Sequence, residues 1–85
     1  METYRLKNVR FTAIQVNANN IEEIYTWLSA YYKTTITKGM NVARVVVETS
    51  PYYSIANNGD YIAMDIAGQL IVRSEKEFNR YFIKV

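Results

Sequence analysis

Hydrophobic and polar positions change period several times along this chain, and each change marks an element. From Tyr4 to Val16, β-branched and aromatic side chains run with no helical repeat, which predicts one extended strand. Its first half alternates at Arg5, Leu6 and Lys7, as a half-exposed edge would. Phe11 to Val16 is apolar on both faces and should be more central. Asn17 to Asn20 is turn chemistry, and Asn20 with Glu23 three residues later has the spacing of a capping box. Ile21, Ile24, Leu28 and Tyr31 then form one apolar stripe at helical spacing, predicting a helix from about Ile21 to Tyr32. Glu22 and Glu23 in its first turn suit the positive end of the helix dipole. Trp27 stands one position off the stripe and either widens the buried face or is half exposed at a contact surface; the core reading is preferred.

Beyond the helix the period returns to two. Thr34 to Thr37 is strand-like, and Lys38 to Asn41 is a turn. Ala43 to Thr49 is the strongest strand pattern, with Val45, Val47 and Thr49 on one face and Arg44, Val46 and Glu48 on the other. Ser50-Pro51 ends it, because proline cannot donate to a ladder. Tyr52 to Ala56 is a short extended piece. Asn57-Asn58-Gly59-Asp60 is the best turn signal in the chain, with Gly59 expected at positive φ. Tyr61 to Ile66 and Gln69 to Arg73 are strands about an Ala67-Gly68 turn. Ser74, with Glu77 at capping-box spacing, opens a short helix docked by Phe78, Tyr81 and Phe82. Ile83 to Val85 is placed to return to the sheet. The expected architecture is α+β: one mainly antiparallel, curved sheet of four to six strands, one helix across a face, and a short C-terminal helix, in a single domain over residues 1–85.

Composition narrows the chemistry. Eighty-five residues with 49% apolar and 21% charged side chains fit one globular domain. There is no cysteine and no histidine, so disulfides, thiolate chemistry and the common nucleophile–base pairs are excluded. The four serines have no imidazole to activate them, and no motif marks a Ser–Lys arrangement. The usual zinc ligands are missing, and the three glycines form no phosphate-binding loop. Asp60 and Asp65 sit five apart on a predicted strand, on opposite faces and roughly 16 Å apart along it, too far for the paired carboxylates of glycoside hydrolysis. The expectation is a protein that is not an enzyme and takes no cofactor or metal. No window resembles a membrane span or a signal peptide, so a soluble, cytoplasmic protein is expected.

Two features suit binding. The chain has eight tyrosines, including the adjacent pairs Tyr31-Tyr32 and Tyr52-Tyr53. Tyrosine offers a large apolar ring with a hydrogen-bonding tip, which favours interfaces; the bland alternative is rings plugging the rim of a small core. In each pair one ring is expected to face in and one out, making Tyr32 and one of Tyr52 and Tyr53 the better interface residues. Basic residues collect at both ends: Arg5, Lys7 and Arg10, then Arg73, Lys76, Arg80 and Lys84. If the last segment packs beside the first strand, they merge into a patch able to contact nucleic acid. Against that, the net charge is only +2, and such residues commonly form a solvated face.

The order of motifs resembles a widespread family of small uncharacterised phage and prophage proteins. The residues that carry the resemblance are Thr12-Ala13-Ile14-Gln15-Val16, Asn20-Ile21-Glu22-Glu23-Ile24 with Trp27-Leu28, Val45 to Thr49, Ala56 to Ile62, Gly68-Gln69, and Phe78 with Tyr81-Phe82. It covers nearly the whole chain and rests on the ordered set. The chain departs from the family at Lys7-Asn8-Val9 and at Arg73-Ser74-Glu75. The resemblance implies an accessory protein in the cytoplasm of a bacterial host, binding a host protein complex. A defence assembly such as a CRISPR effector is the leading target, with a second copy of the chain as a further partner. A small nucleic-acid-binding protein is the alternative.

Overall fold

A computed structural model describes residues 1–85. The element order is β1 (Glu2–Leu6), β2 (Val9–Gln15), α1 (Ile21–Ser29), β3 (Lys33–Lys38), β4 (Ala43–Glu48), β5 (Tyr53–Asn57), β6 (Tyr61–Asp65), β7 (Leu70–Arg73), α2 (Glu75–Tyr81) and β8 (Ile83–Lys84). The α+β class, the antiparallel pairing, the helix across a face and the short C-terminal helix are as the sequence predicts. The strands divide between two sheets: five in the order β7-β6-β2-β1-β8 and three in the order β3-β4-β5.

The extended run from Tyr4 to Val16 is not one strand but a hairpin. Leu6 pairs with Val9, leaving Lys7-Asn8 as a two-residue turn with Lys7 at φ 55°. A left-handed lysine costs roughly 1–2 kcal/mol over glycine, while glycine loses about 0.5–1 kcal/mol more chain entropy on folding. Lys7→Gly should therefore gain up to about 1.5 kcal/mol, seen as a higher denaturation midpoint. A lowered midpoint would mean that the turn tolerates lysine without strain.

Each face of the large sheet has its own core. Phe11, Ala13 and Ala63 point to the side covered by α2, where they pack with Phe78 and Phe82, whereas Tyr81, expected to dock with them, is exposed. Ser74 caps α2 as its spacing predicts, its hydroxyl accepting from the Glu77 N–H at 3.2 Å. Chain alternation puts Val16, Ile62 and Met64 on the other side, against Ile21, Ile24 and Leu28 of α1 and Ala43, Val45, Val47 and Ala56 of the small sheet. These fifteen side chains are the whole buried set, and all are apolar.

The connection before α1 differs from a capping box. Asn20 makes no side-chain cap bond. Its Oδ1 accepts from the Asn17 N–H at 3.0 Å, and its amide donates to the Gln15 carbonyl, while Asn17 Oδ1 accepts from the N–H groups of Asn19 and Asn20. The two asparagines close the loop on itself, which directs the Asn20 side chain back to Gln15 and Asn17 rather than to the first turn of the helix. Gly59 has φ 92°, as expected, but its turn links the two sheets rather than closing a hairpin. The Gly59 N–H donates to the Val16 carbonyl and the Val16 N–H to the Asp60 carbonyl, both at 2.8 Å.

Candidate functional site

The small sheet buries one face and exposes the other. Along β5, Ser54 and Ala56 turn inward, while Tyr53 and Ile55 turn to solvent beside Val46 of β4. Tyr52 lies in the turn before β5, where the Thr49 N–H and hydroxyl both donate to the Tyr52 carbonyl, at 2.8 and 3.0 Å. It therefore escapes strand alternation, and both members of this pair are exposed, Tyr52 by 76% and Tyr53 by 63%. The expected in–out split fails here for that reason.

The other pair does split, in the opposite sense to the one expected. The helix stops at Ser29, and Tyr32 enters the alternation of β3 on the inward phase shared with Thr34 and Ile36. Tyr32 packs against the larger core, and its hydroxyl donates to the Gly68 carbonyl. Tyr31 is the exposed member. Lys33 pairs with Glu48 and Glu48 with Tyr53, so both tyrosine pairs leave the sheet at the same end. Lys33 and Tyr53, two strands apart, are separated by about 10 Å.

A shallow depression of about 250 Å3 of mixed polar and apolar lining adjoins Tyr31 and is bordered by Trp27, Met64, Ile66, Thr12 and Asp65. Trp27 combines both of its expected roles, packing on the core while bordering this depression. Ile66 was not singled out from the sequence, yet it is fully exposed, at 102%. It stands on a closed turn: the Gly68 N–H donates to the Asp65 carbonyl, the Gln69 N–H to Asp65 Oδ1, and the Asp65 N–H to the Gln69 carbonyl. Gly68, at φ 86°, completes that turn. The only sequence signal for it was the Ala67-Gly68 step.

The basic residues are not gathered as one patch. β8 does pair with β1, so the two ends are neighbours. Strand alternation then divides them: Lys84 shares the α2 face with Tyr4, whereas Arg5 and Arg10 are paired on the other face. Lys84 Nζ lies 2.8 Å from Glu2 Oε1. That bond holds the Glu2 carboxyl below its usual range and lifts the Lys84 ammonium above its own. Arg73 donates to its neighbour Val72, and Arg80 lies over the Tyr81 ring at 5.6 Å. Lys7 occupies the first hairpin turn. Asp60 and Asp65 each accept from a turn N–H, of Asn57 and Gln69 respectively, and serve the backbone.

Tyr61 is stacked on Phe78, and burial, the largest cause, pushes its phenol above the ordinary tyrosine value, helped by Tyr4 and Glu75. Folding thus favours its neutral form. This contribution is complete below about pH 10, the unfolded value, and is lost as pH rises through the higher folded value. Tyr61→Phe should flatten the alkaline limb of a stability-against-pH curve; an unchanged limb would mean that Tyr61 ionises freely.

No helix is long and apolar enough to cross a membrane. Comparison with protein-family models, with curated proteins and with solved structures gives no match to this chain.

Proposed function

We propose that this chain is a non-catalytic binding module that docks on another protein through its tyrosine end. The observation that supports this most directly is the strand register, which brings exposed Tyr31, Tyr52 and Tyr53 to one end of the small sheet. Tyrosine suits this use because only two side-chain torsions are frozen on binding. Its ring also supplies a large contact area. A tight turn presents Ile66 beside Tyr31, so little order has to be gained on docking. The resemblance to small phage proteins supplies the setting: the bacterial cytoplasm, with a host defence complex such as a CRISPR effector as target.

The test is affinity capture from a bacterial host lysate with the wild-type chain and a folded Tyr31→Ala/Tyr53→Ala variant, alongside sedimentation. Removing central aromatic anchors should cost about 2 kcal/mol or more in affinity, roughly 30-fold. A stoichiometric protein partner held by wild type and lost by the variant supports the reading. Equal capture by both would overturn it. Self-association lost in the variant would assign the same surface to a second copy. Nucleic-acid retention with a steep salt dependence would replace the protein partner altogether.

A further inference from the structure

The large sheet has an uncovered area that meets the tyrosine surface only at Ile66. α1 and the small sheet cover one of its faces over β6, β7 and the second half of β2, but the β1–β8 end of that face is bare. There Arg5 lies directly opposite Arg10, and Ile83 lies opposite Arg5 on the other side. Ile66 follows the last pair of the β2–β6 ladder, Phe11 with Asp65, and borders the same depression as Arg10. The result is a row of exposed side chains, Ile83, Arg5 and Arg10, spanning roughly 10 Å at the ordinary strand spacing, with exposed Ile66 on the turn at its end.

Like charges directly opposite on adjacent strands destabilise a sheet. Here neither guanidinium has an ion-pair partner. Arg5 Nη1 donates to the Lys7 carbonyl at 3.0 Å, which fixes its guanidinium and leaves other N–H groups free. A depression of about 230 Å3 lined by Thr3, Thr12 and Met64 opens beside Arg10. Asp65 also borders it, but one of its carboxylate oxygens is engaged by the Gln69 N–H.

We infer that this row is a docking site for an acidic segment of a protein partner, with carboxylates on Arg5 and Arg10 and apolar side chains on Ile83 and Ile66. The inference rests on the protein-binding reading above only for the class of partner. Two guanidinium forks side by side match carboxylates in geometry and charge. A second copy fits poorly, because a two-fold contact would bring four guanidiniums together. A nucleic-acid backbone also fits poorly: the row ends in isoleucines, and Lys84 lies on the opposite face, held by Glu2.

The experiment is an NMR titration of the full-length chain with an extended peptide carrying two adjacent glutamates flanked by leucines. The controls are the same peptide with glutamines and a short oligothymidylate. The expected result is saturable shifts at Arg5, Arg10, Thr12 and Ile66 with the glutamate peptide alone. The folded Arg5→Gln/Arg10→Gln variant should lose about tenfold in affinity, and Arg10→Lys should fall between, keeping the charge without the fork. Tyr31→Ala/Tyr53→Ala should bind the peptide as wild type does, so the two surfaces fail or stand separately. Equal shifts with the glutamine peptide, none at about 1 mM peptide, or stronger shifts with oligothymidylate would each overturn the inference.

Discussion

Phe78→Ala is expected to cost about 3–5 kcal/mol and to bring the domain to the edge of unfolding at room temperature. Phe78 is the centre of the α2 core. Its ring stacks on Tyr61 at 4.0 Å and on Phe82 at 4.3 Å, and Tyr4 meets it edge-on at 4.8 Å. Only four other side chains are buried in this core, two of them alanines. Removing the ring therefore leaves a hole that little can collapse into. An 85-residue domain typically has about 4–13 kcal/mol of total stability, so the loss is a large fraction of it. Phe78→Leu keeps most of the volume and should cost clearly less. Chemical denaturation of both variants checks this. An alanine variant within 1 kcal/mol of wild type would mean that α2 docks chiefly through Phe82.

The second helix was legible in the sequence because all its determinants are local. Ser74, Glu77 and Phe78 lie within five residues, and cap, first turn and anchor can be assigned without knowing what they pack against. The inward phase of Val45 and Val47 was legible for the same reason, since alternation needs only the strand itself. The division into two sheets was not. It is set by which strands pair, and β2 finds β6 across about fifty residues of chain, as in the pairing of Ile14 with Ile62. Alternation gives the faces of a strand but not its neighbour. The first hairpin was missed because its positive-φ residue is Lys7, a type that rarely marks such a turn; Asn8 follows it with an ordinary φ.

The candidate site was legible by residue type and misjudged by orientation, and the Tyr31-Tyr32 pair shows why. Extending α1 to Tyr32 puts Tyr31 on the stripe of Ile21, Ile24 and Leu28. The helix ends three residues earlier, at Ser29, with no glycine to signal the stop. The governing period then changes from 3.6 to 2 between the two tyrosines, and their roles exchange. Ile66 was invisible for a different reason. It closes an apolar run that reads as strand interior, and only the hydrogen-bonded turn from Asp65 to Gln69 turns it out.

That exchange predicts opposite behaviour for two adjacent residues of the same type. Tyr32→Ala removes a ring packed on the larger core and the hydroxyl that donates to the Gly68 carbonyl, tying α1's exit to the β6–β7 turn. It should cost about 2–3 kcal/mol, less than a fully buried aromatic because the ring is only half-buried. Tyr32→Phe isolates the hydrogen bond and should cost about 0.5–1.5 kcal/mol. Tyr31→Ala removes a ring that is 62% exposed and should stay within about 0.5 kcal/mol of wild type. The order of denaturation midpoints should therefore be wild type and Tyr31→Ala together, then Tyr32→Phe, then Tyr32→Ala. If Tyr31→Ala fell below Tyr32→Ala, the helix would have to continue through both residues, and Tyr32 would be the ring available to a partner. If the expected order is found, loss of partner capture in a Tyr31 variant is a loss of contact rather than of fold.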